Sequence, residues 1–427
     1  MPAAAFPHIL LLVITGASIA LMLIRPRGIA EVYWIGGGVA LLLALRLAPL
    51  RLAGRAVAEG TDVYLFLAGM MLLSELAREY GVFDWLSSEA IELARGSRTR
   101  LFALVYGLGA LVTIFLSNDA TAVVLTPAIL AAIRKAKVPP LPYLFACAFI
   151  ANAASFVLPI SNPANLVVFR LGMPPLAKWL AWFGVPSVLS IAATYAVLWM
   201  VFRGDLRGRT EDDVAAPLTT DGKLVLAGLG LAAAMLLTVS SLNRNLGLPT
   251  CLAALAVTAV LSIKTRTNPL RFAREISWST IALVGGLFIL LDAVESIGAL
   301  AWAQAALRWS EQLAAGRSAA LGALSAGFAV GVANNLVNNL PLGLMAGEAL
   351  KTAHASRLMA SAVLIGVDLG PNLSVSGSLA TILWLIALKR EKLHVSYASF
   401  LKVGMVAMPA ALAVALLGAV AMQALGR

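Results

Sequence analysis

Apolar runs recur along this chain, each close to the ~20 residues that a membrane-spanning helix needs. Ten fall at 8–24, 29–48, 62–78, 141–170, 177–202, 223–242, 247–263, 277–297, 355–388 and 395–425. Two further apolar stretches, 101–133 and 318–350, carry asparagines near their middle: Ser117-Asn118-Asp119 in the first, Asn334-Asn335 and Asn338-Asn339 in the second. Asparagine suits a tip where backbone ends need partners, so each stretch predicts a re-entrant hairpin buried in protein. Two of the ten runs are interrupted by proline, at Asn162-Pro163 and Gly370-Pro371. Proline removes an amide donor and disturbs the preceding turn, so these two runs predict broken helices.

The two halves of the chain correspond. Gly69, Glu75 and Gly81 match Gly286, Asp292 and Gly298 at a constant offset of 217, and the same offset carries Ser117-Asn118 onto Asn334-Asn335. The prediction is an all-α polytopic membrane protein built from two repeats. The first covers 1–202, with a scaffold part at 1–100 and a hairpin and transport part at 101–202. A polar linker at 203–222 follows. The second repeat covers 223–427, with a scaffold part at 223–317 and a hairpin and transport part at 318–427. Five crossings per repeat is odd, which inverts the second repeat relative to the first, as in many secondary transporters. In 299–316, Trp302, Ala306, Trp309 and Leu313 share one helical face, predicting an amphipathic helix in the membrane interface or packed on the protein. Its counterpart at 82–100 has Glu89 on the apolar face.

Composition agrees with the pattern. The chain is 60% hydrophobic and 12% charged, far from a soluble globule's roughly one quarter charged. Its 32 Lys and Arg against 21 Asp and Glu would suggest nucleic acid in a soluble protein, but 21 of the 32 fall in loops on one side of the predicted topology. That side is expected to be cytoplasmic, with both termini periplasmic and no nucleic-acid partner. Cys147 and Cys251 are the only cysteines, too few for a disulfide framework or a thiolate metal site, and His8, His354 and His394 fall at segment ends. No metal, cofactor or hydrolytic site is expected. A GxxxxGK[ST] run does not occur, so the chain is read as a transporter without its own ATPase.

The candidate chemistry lies in the tips and the breaks. Ser117, Asn118, Asn162, Asn165, Asn335, Asn338, Asn339, Ser376 and Ser378 are short side chains that can cap interrupted helices and still offer hydroxyl or amide groups to a solute. A proline kink healed by Ser or Asn is the ordinary alternative for any one break, but two breaks paired with two tips favour a pathway. Asp119 and Asp368 are candidate proton carriers, with a fixed hydrogen-bonded acid or helix cap as the alternative. Glu75 and Asp292 are expected near helix ends facing an interface, and Glu348 is expected to be solvated.

The runs Ser117-Asn-Asp-Ala-Thr-Ala-Val-Val-Leu-Thr-Pro127, Asn338-Asn-Leu-Pro341, Ile365-Gly-Val-Asp-Leu-Gly-Pro-Asn372 and Gly377-Ser-Leu-Ala-Thr-Ile-Leu-Trp384 resemble the bacterial arsenite/antimonite efflux permeases. These belong to an ion-transporter superfamily that includes dicarboxylate carriers and sodium/proton antiporters. The resemblance implies export of arsenite and antimonite across the bacterial inner membrane, with protons as the coupling ion and in some cases a separate ATPase subunit. It also implies an elevator-type motion of hairpins and broken helices against a scaffold. One position departs: the family pattern places an aspartate where this chain has Asn152. The second tip is Asn334-Asn335 by offset and Asn338-Asn339 by motif. A sodium/proton antiporter and a carboxylate carrier are the alternatives within the superfamily.

Overall fold

The computed structural model describes residues 5–170, 172–211, 217–299, 301, 305 and 319–425, and it is built from helices. The first half runs α1 (Ala5–Ile24), α2 (Glu31–Ala44), α3 (Leu50–Glu59), α4 (Thr61–Glu79), α5 (Val82–Ala94), α6 (Arg98–Phe115), α7 (Thr126–Lys135), α8 (Leu141–Ala153), α9 (Pro163–Val168) and α10 (Leu176–Phe202). The second runs α11 (Thr220–Ser241), α12 (Gly247–Thr265), α13 (Leu270–Glu275), α14 (Trp278–Ser296), α15 (Ala319–Val337), α16 (Asn339–Thr352), α17 (Arg357–Leu369), α18 (Leu379–Arg390) and α19 (Tyr397–Leu425).

Eight described helices are individually long and apolar enough to cross a membrane, among them α6 and α15, the first arms of the two asparagine-bearing stretches that the sequence predicts to be re-entrant. All ten predicted runs appear, two of them as the broken pairs α8/α9 and α17/α18. The short helices α3 and α13, which lead into α4 and α14, were not predicted. Each carries two arginines and a glutamate within its few residues, so hydropathy alone reads them as loops. Short polar residues start many of the helices, as capping requires: Ser97, Thr219, Asn162, Ser356 and Ser378 each accept a backbone N–H of the first turn.

Both asparagine-bearing stretches are helical hairpins, as expected. In the first, α6 ends at Phe115, and the chain returns from Asn118 through a π-helical turn at Ala120–Leu125 into α7. Thr113 and Thr121 join its two arms near the tip, hydroxyl to hydroxyl at 2.8 Å. Its two roots are held by one strand of the linker: Ser97 bridges Arg209, Thr210 N donates to Gly96 O, and Glu211 N donates to Ala136 O. Both roots therefore lie at the same end of the molecule. Arg98 reinforces this clamp by donating to the carbonyls of Asp205, Arg207 and Arg209.

The second hairpin is rooted at the opposite end. Its arms α15 and α16 meet at Asn338, whose positive φ of 80° turns the chain. Near the root, Glu348 pairs with Arg170, which also pairs with Glu59 immediately before α4. From there α4 runs about 28 Å at 1.5 Å per residue to Tyr80, where the linker packs beside Gly222. Glu348, expected to be solvated, is instead 8% exposed, because the distant Arg170 is brought against it by the fold.

Helix α5 packs on the protein, burying Val82, Phe83, Ala90 and Ile91, and Trp85 Nε1 donates to the Glu89 carboxylate that interrupts its apolar pattern. Nearly all of its proposed counterpart at 299–316 lies outside the described residues. The matched glycines Gly81 and Gly298 both adopt left-handed backbone, with φ of 71° and 72°.

Close packing is set by small residues, as is usual between membrane helices. A Cβ on Gly366 of α17 would lie 2.5 Å from the Gly327 carbonyl oxygen of α15, and one on Gly370 would lie 2.5 Å from the Gly331 carbonyl oxygen. On the other side of the second break, Phe145, Phe149, Trp384 and Phe400 form an aromatic cluster joining α8, α18 and α19. These contacts make one block of the broken helices and the second hairpin. Gly366→Ala is expected to destabilise the protein by roughly 1–3 kcal/mol, because backbone rather than a movable side chain blocks the added methyl. Gly230→Ala, which meets nothing within 4 Å, should be neutral or slightly stabilising. Thermal unfolding in detergent compares the two, and equal midpoints would contradict this packing.

Candidate functional site

The hairpin tips and the breaks meet around a partly open chamber. It has a volume of about 160 Å³ and is walled on one side by Leu67, Met70 and Ser74 of α4 with Ser277 and Thr280 at the start of α14. The facing wall is Ser117, Asp119 and Val123 of the first hairpin, Pro163 of α9 and Leu379 of α18. The chamber narrows to a recess of about 20 Å³ where Asn118, Asp119, Asn162, Asn339 and Thr280 converge. That recess has room for about one water, whereas the chamber holds a solute several times larger. In the other direction Ser277, Thr280, Leu379 and Leu383 also line a cleft of about 600 Å³, which passes Arg25, Lys389 and Arg390. The chamber thus shares wall residues with a cleft at the end of the molecule that carries Arg25, Lys389 and Arg390.

The structure divides the candidate residues into those that face this space and those that hold the walls. Asn118 and Asn339 each open the return arm of a hairpin, and both reach the recess. Asn118 Oδ1 accepts from Asp119 N at 2.9 Å, while Asn339 Oδ1 is buried without a hydrogen-bond partner. The break before α16 makes the motif-matched pair Asn338-Asn339 the tip; Asn334-Asn335 lies within the last turn of α15. Ser117 caps the return arm by accepting from Ala120 N and also lines the chamber. Asp119 is half-buried, faces both chamber and recess, and no partner is seen for its carboxylate among the described residues.

The remaining amides satisfy interrupted backbone. Asn165 donates to the carbonyls of Ser155, Leu158 and Pro159 and so stitches the first break from within. Asn334 donates to the carbonyls of Gly366 and Val367. Asn335 donates to Gly331 and Gly370 carbonyls and accepts from Ser374 Oγ. Asn338 donates to Ser376 O and accepts from Leu340 N. Ser376 donates to Asn335 O and borders the large cleft, while Ser378 caps α18 through Thr381 N.

The two breaks are joined to each other. Asn162 lines the recess, accepts from Ala164 N, and donates to Asp368 Oδ1 at 2.9 Å. Asn152 donates to Asn372 Oδ1 at 2.9 Å, and Asn372 donates to Phe149 O. Asp368 is fully buried, with Oδ2 unpartnered, and lies behind Asn162 rather than on the chamber wall. Glu75 is held bidentately by Arg78 at the chamber's margin.

Among the described residues, chamber and recess have no Lys, Arg, His or Cys in their walls. Cys147 is buried in α8, and Cys251 sits on α12 against Gly69. Thr280, Ser277 and Leu67 were not anticipated as lining residues. They have no local signal, because they become part of the wall only when α4 and α14 pack opposite the tips.

The sequence pattern of the citrate transporter family matches residues 5–370. The chain is 26% identical over 412 residues to an arsenical pump membrane protein of Escherichia coli, covering 91% of this chain and 93% of that one. An arsenical pump membrane protein of Yersinia enterocolitica is also 26% identical, over 79% of this chain and 81% of its own. A putative arsenical pump membrane protein of Bacillus subtilis is 23% identical over 90% and 93% of the two chains. The fold is similar to that of the Alcanivorax borkumensis YdaH transporter, with a TM-score of 0.56, 13% identity and 86% of each chain covered. A polytopic helical chain with its polar residues gathered at a partly open chamber, matched over most of its length by membrane transporters, belongs to the citrate transporter family of the ion-transporter superfamily.

Proposed function

We propose that the protein exports neutral arsenite, As(OH)₃, and its antimony analogue from the cytoplasm in exchange for protons. The observation that carries this reading is the chamber wall: amides from both hairpins, hydroxyls from Ser117, Ser74, Ser277 and Thr280, the half-buried Asp119 carboxyl with Glu75 and Glu275 at the margin, and no cationic side chain. A pyramidal trihydroxide both donates and accepts hydrogen bonds, and Asn118, Asn339, Ser117 and Thr280 can do the same. The similarity to arsenical pump membrane proteins supports the same solute. A carboxylate carrier is disfavoured because the anion would face Asp119 in a chamber whose wall offers no lysine or arginine to pair with it. A sodium/proton exchanger could use the same Asp119, and sodium-dependent pH change without arsenite would reveal it.

On this reading the Lys- and Arg-rich end is cytoplasmic, both termini are periplasmic, and the protein lies in the bacterial inner membrane with the chamber open inward. The two inverted repeats are part of the proposal. They are supported by hairpins rooted at opposite ends and by α3 and α13 preceding α4 and α14. They are supported too by Gly69 packing on Thr250 and Cys251 while Gly286 packs on Ile35. The repeat boundaries remain 1–202 and 223–427, joined by the linker. Hairpins and broken helices then move as an elevator against the scaffold. The energy comes from protons or from a separate ATPase subunit.

Asp119 is the group that solute and proton can both reach, and Asp368 is linked to the recess through Asn162. In inverted vesicles with an imposed pH gradient, Asp119→Asn is expected to lose gradient-driven arsenite accumulation. Asp368→Asn should lose it or become uncoupled. Wild-type dependence on the gradient in both variants would remove these acids from the proton route.

Asn118→Ala and Asn339→Ala should remain folded and reduce arsenite uptake by about five- to thirtyfold, since each removes a hydrogen-bonding group at the recess worth ~1–2 kcal/mol. Asn165→Ala, by contrast, strands carbonyls inside the protein and should reduce the yield of folded material. Size-exclusion profiles paired with uptake separate these outcomes, and normal uptake by Asn339→Ala would refute its place in the site.

The Cys147→Ser/Cys251→Ser double variant should keep most arsenite transport, because neither thiol lines the chamber. Loss of transport in well-expressed, folded protein would overturn the polar binding mode.

A further inference from the structure

The elements that wall the chamber continue away from it and meet again at a buried charge cluster. Arg170 lies seven residues beyond Pro163, Glu348 nine beyond Asn339, and Asp292 twelve beyond Thr280. At 1.5 Å per helical residue these intervals correspond to roughly 10–18 Å from the chamber, all toward the end opposite the basic cleft. Arg170, its side chain 6% exposed, pairs with Glu348 Oε2 at 3.1 Å and Glu59 Oε2 at 3.2 Å. Asp292 Oδ1 lies 3.8 Å away, and the guanidinium stands 5.4 Å from the centroid of the Phe288 ring.

The partners come from both sides of the chamber's seam. Glu59 of α3, Asp292 of α14 and Tyr64 of α4 belong to the proposed scaffold, and Arg170 and Glu348 belong to the proposed moving part. Arg55 pairs with Glu59, and Glu295 of α14 faces Glu348. Four carboxyls therefore surround two arginines. The arrangement is incompletely satisfied: Arg170 Nε, Tyr64 Oη and both Asp292 oxygens are buried without hydrogen bonds.

We propose that Arg170 and its carboxylate partners form the far-side gate of the transporter, an ionic latch that closes the seam while the chamber is open to the basic end. The latch must part when the hairpins and broken helices move past the scaffold. Arg170 is a positioning residue here, since it touches neither chamber nor recess. The proposal rests on the alternating-access reading above but not on the identity of the solute.

The test uses the full chain with Cys147→Ser and Cys251→Ser, adding Leu344→Cys as reporter. Leu344 is 1% exposed and lies on α16 between the recess and Glu348. A membrane-impermeant thiol reagent is applied separately to each side, in right-side-out and in inverted vesicles. Arg170→Met is expected to accelerate labelling from the far side at least about tenfold, with no matching gain from the basic side, and Arg170→Lys should recover part of the closure. Because Arg170→Met could fail to fold, Glu59→Gln and Glu348→Gln are measured alongside, each removing the charge of one arm. Unchanged far-side labelling in the folded variants overturns the gate, as does equal acceleration from both sides, which would indicate general loosening. Loss of arsenite transport with wild-type labelling would count against the latch as well. A transporter of another solute would still show the labelling response.

Discussion

The controlling constraint is the requirement that backbone polar groups interrupted within an apolar interior find partners there. Two hairpin tips and two helix breaks expose amides and carbonyls where water is scarce. Each would cost several kcal/mol if left bare. The chain meets this with short amide and hydroxyl side chains rather than with charge. Asn165 alone serves three carbonyls of the first break, and Asn334 and Asn335 together do the same for the second. The glycines facing one another between α15 and α17 bring those amides close enough to act.

Once the backbone is satisfied, the few polar groups left over acquire a different meaning. Asn339 Oδ1 and the Asp119 carboxylate are not consumed by the wall, and both residues line the same recess. Asn162 stands between the two classes, facing the recess while its amide nitrogen is committed to Asp368. A side chain in that position can report a change at the recess to a buried acid without either group moving far. The link replaces direct contact between Asp368 and the solute space. It also shows how Asn152 can be accommodated: its amide joins the breaks through Asn372, so this position contributes cohesion.

Much of the fold was legible because hydrophobic length and proline position act locally. The ten runs, both hairpins and both breaks follow from windows of about twenty residues. The division of labour among the asparagines was not legible. Asn335 and Asn339 have similar neighbours in sequence, yet one is tied to Gly370 and Ser374 while the other opens onto the recess. That difference depends on contacts between segments more than thirty residues apart. Glu348 was misread for the same reason: its partner Arg170 is 178 residues away, and a lone acid near a helix end looks solvated until that partner is placed. Helices α3 and α13 escaped notice because their charged residues mask an amphipathic pattern too short to stand out.

Polarity along the seam between scaffold and hairpins follows a consistent order. At the basic end the cleft is wide and carries Arg25, Lys389 and Arg390; at the centre the walls offer neutral donors and acceptors together with the Asp119 carboxyl; at the far end the seam is shut by paired charges. A neutral trihydroxide passing along this route never has to neutralise a cation, and its hydroxyls can exchange water for amides at small cost. A multiply charged carboxylate would have to leave the basic cleft for a chamber bordered by Asp119, so its energy would rise where a carrier needs binding. The proposed proton route has the opposite preference, since a half-buried acid bordering the chamber is where a proton would be taken up and released. On the proposed reading, solute and proton would compete for one small region without needing the same chemical groups, and occupancy by one would change the hydrogen-bonding state offered to the other. On that proposal the competition would be sufficient for exchange, provided the charged closure at the far end opens only when the block that carries the chamber has moved.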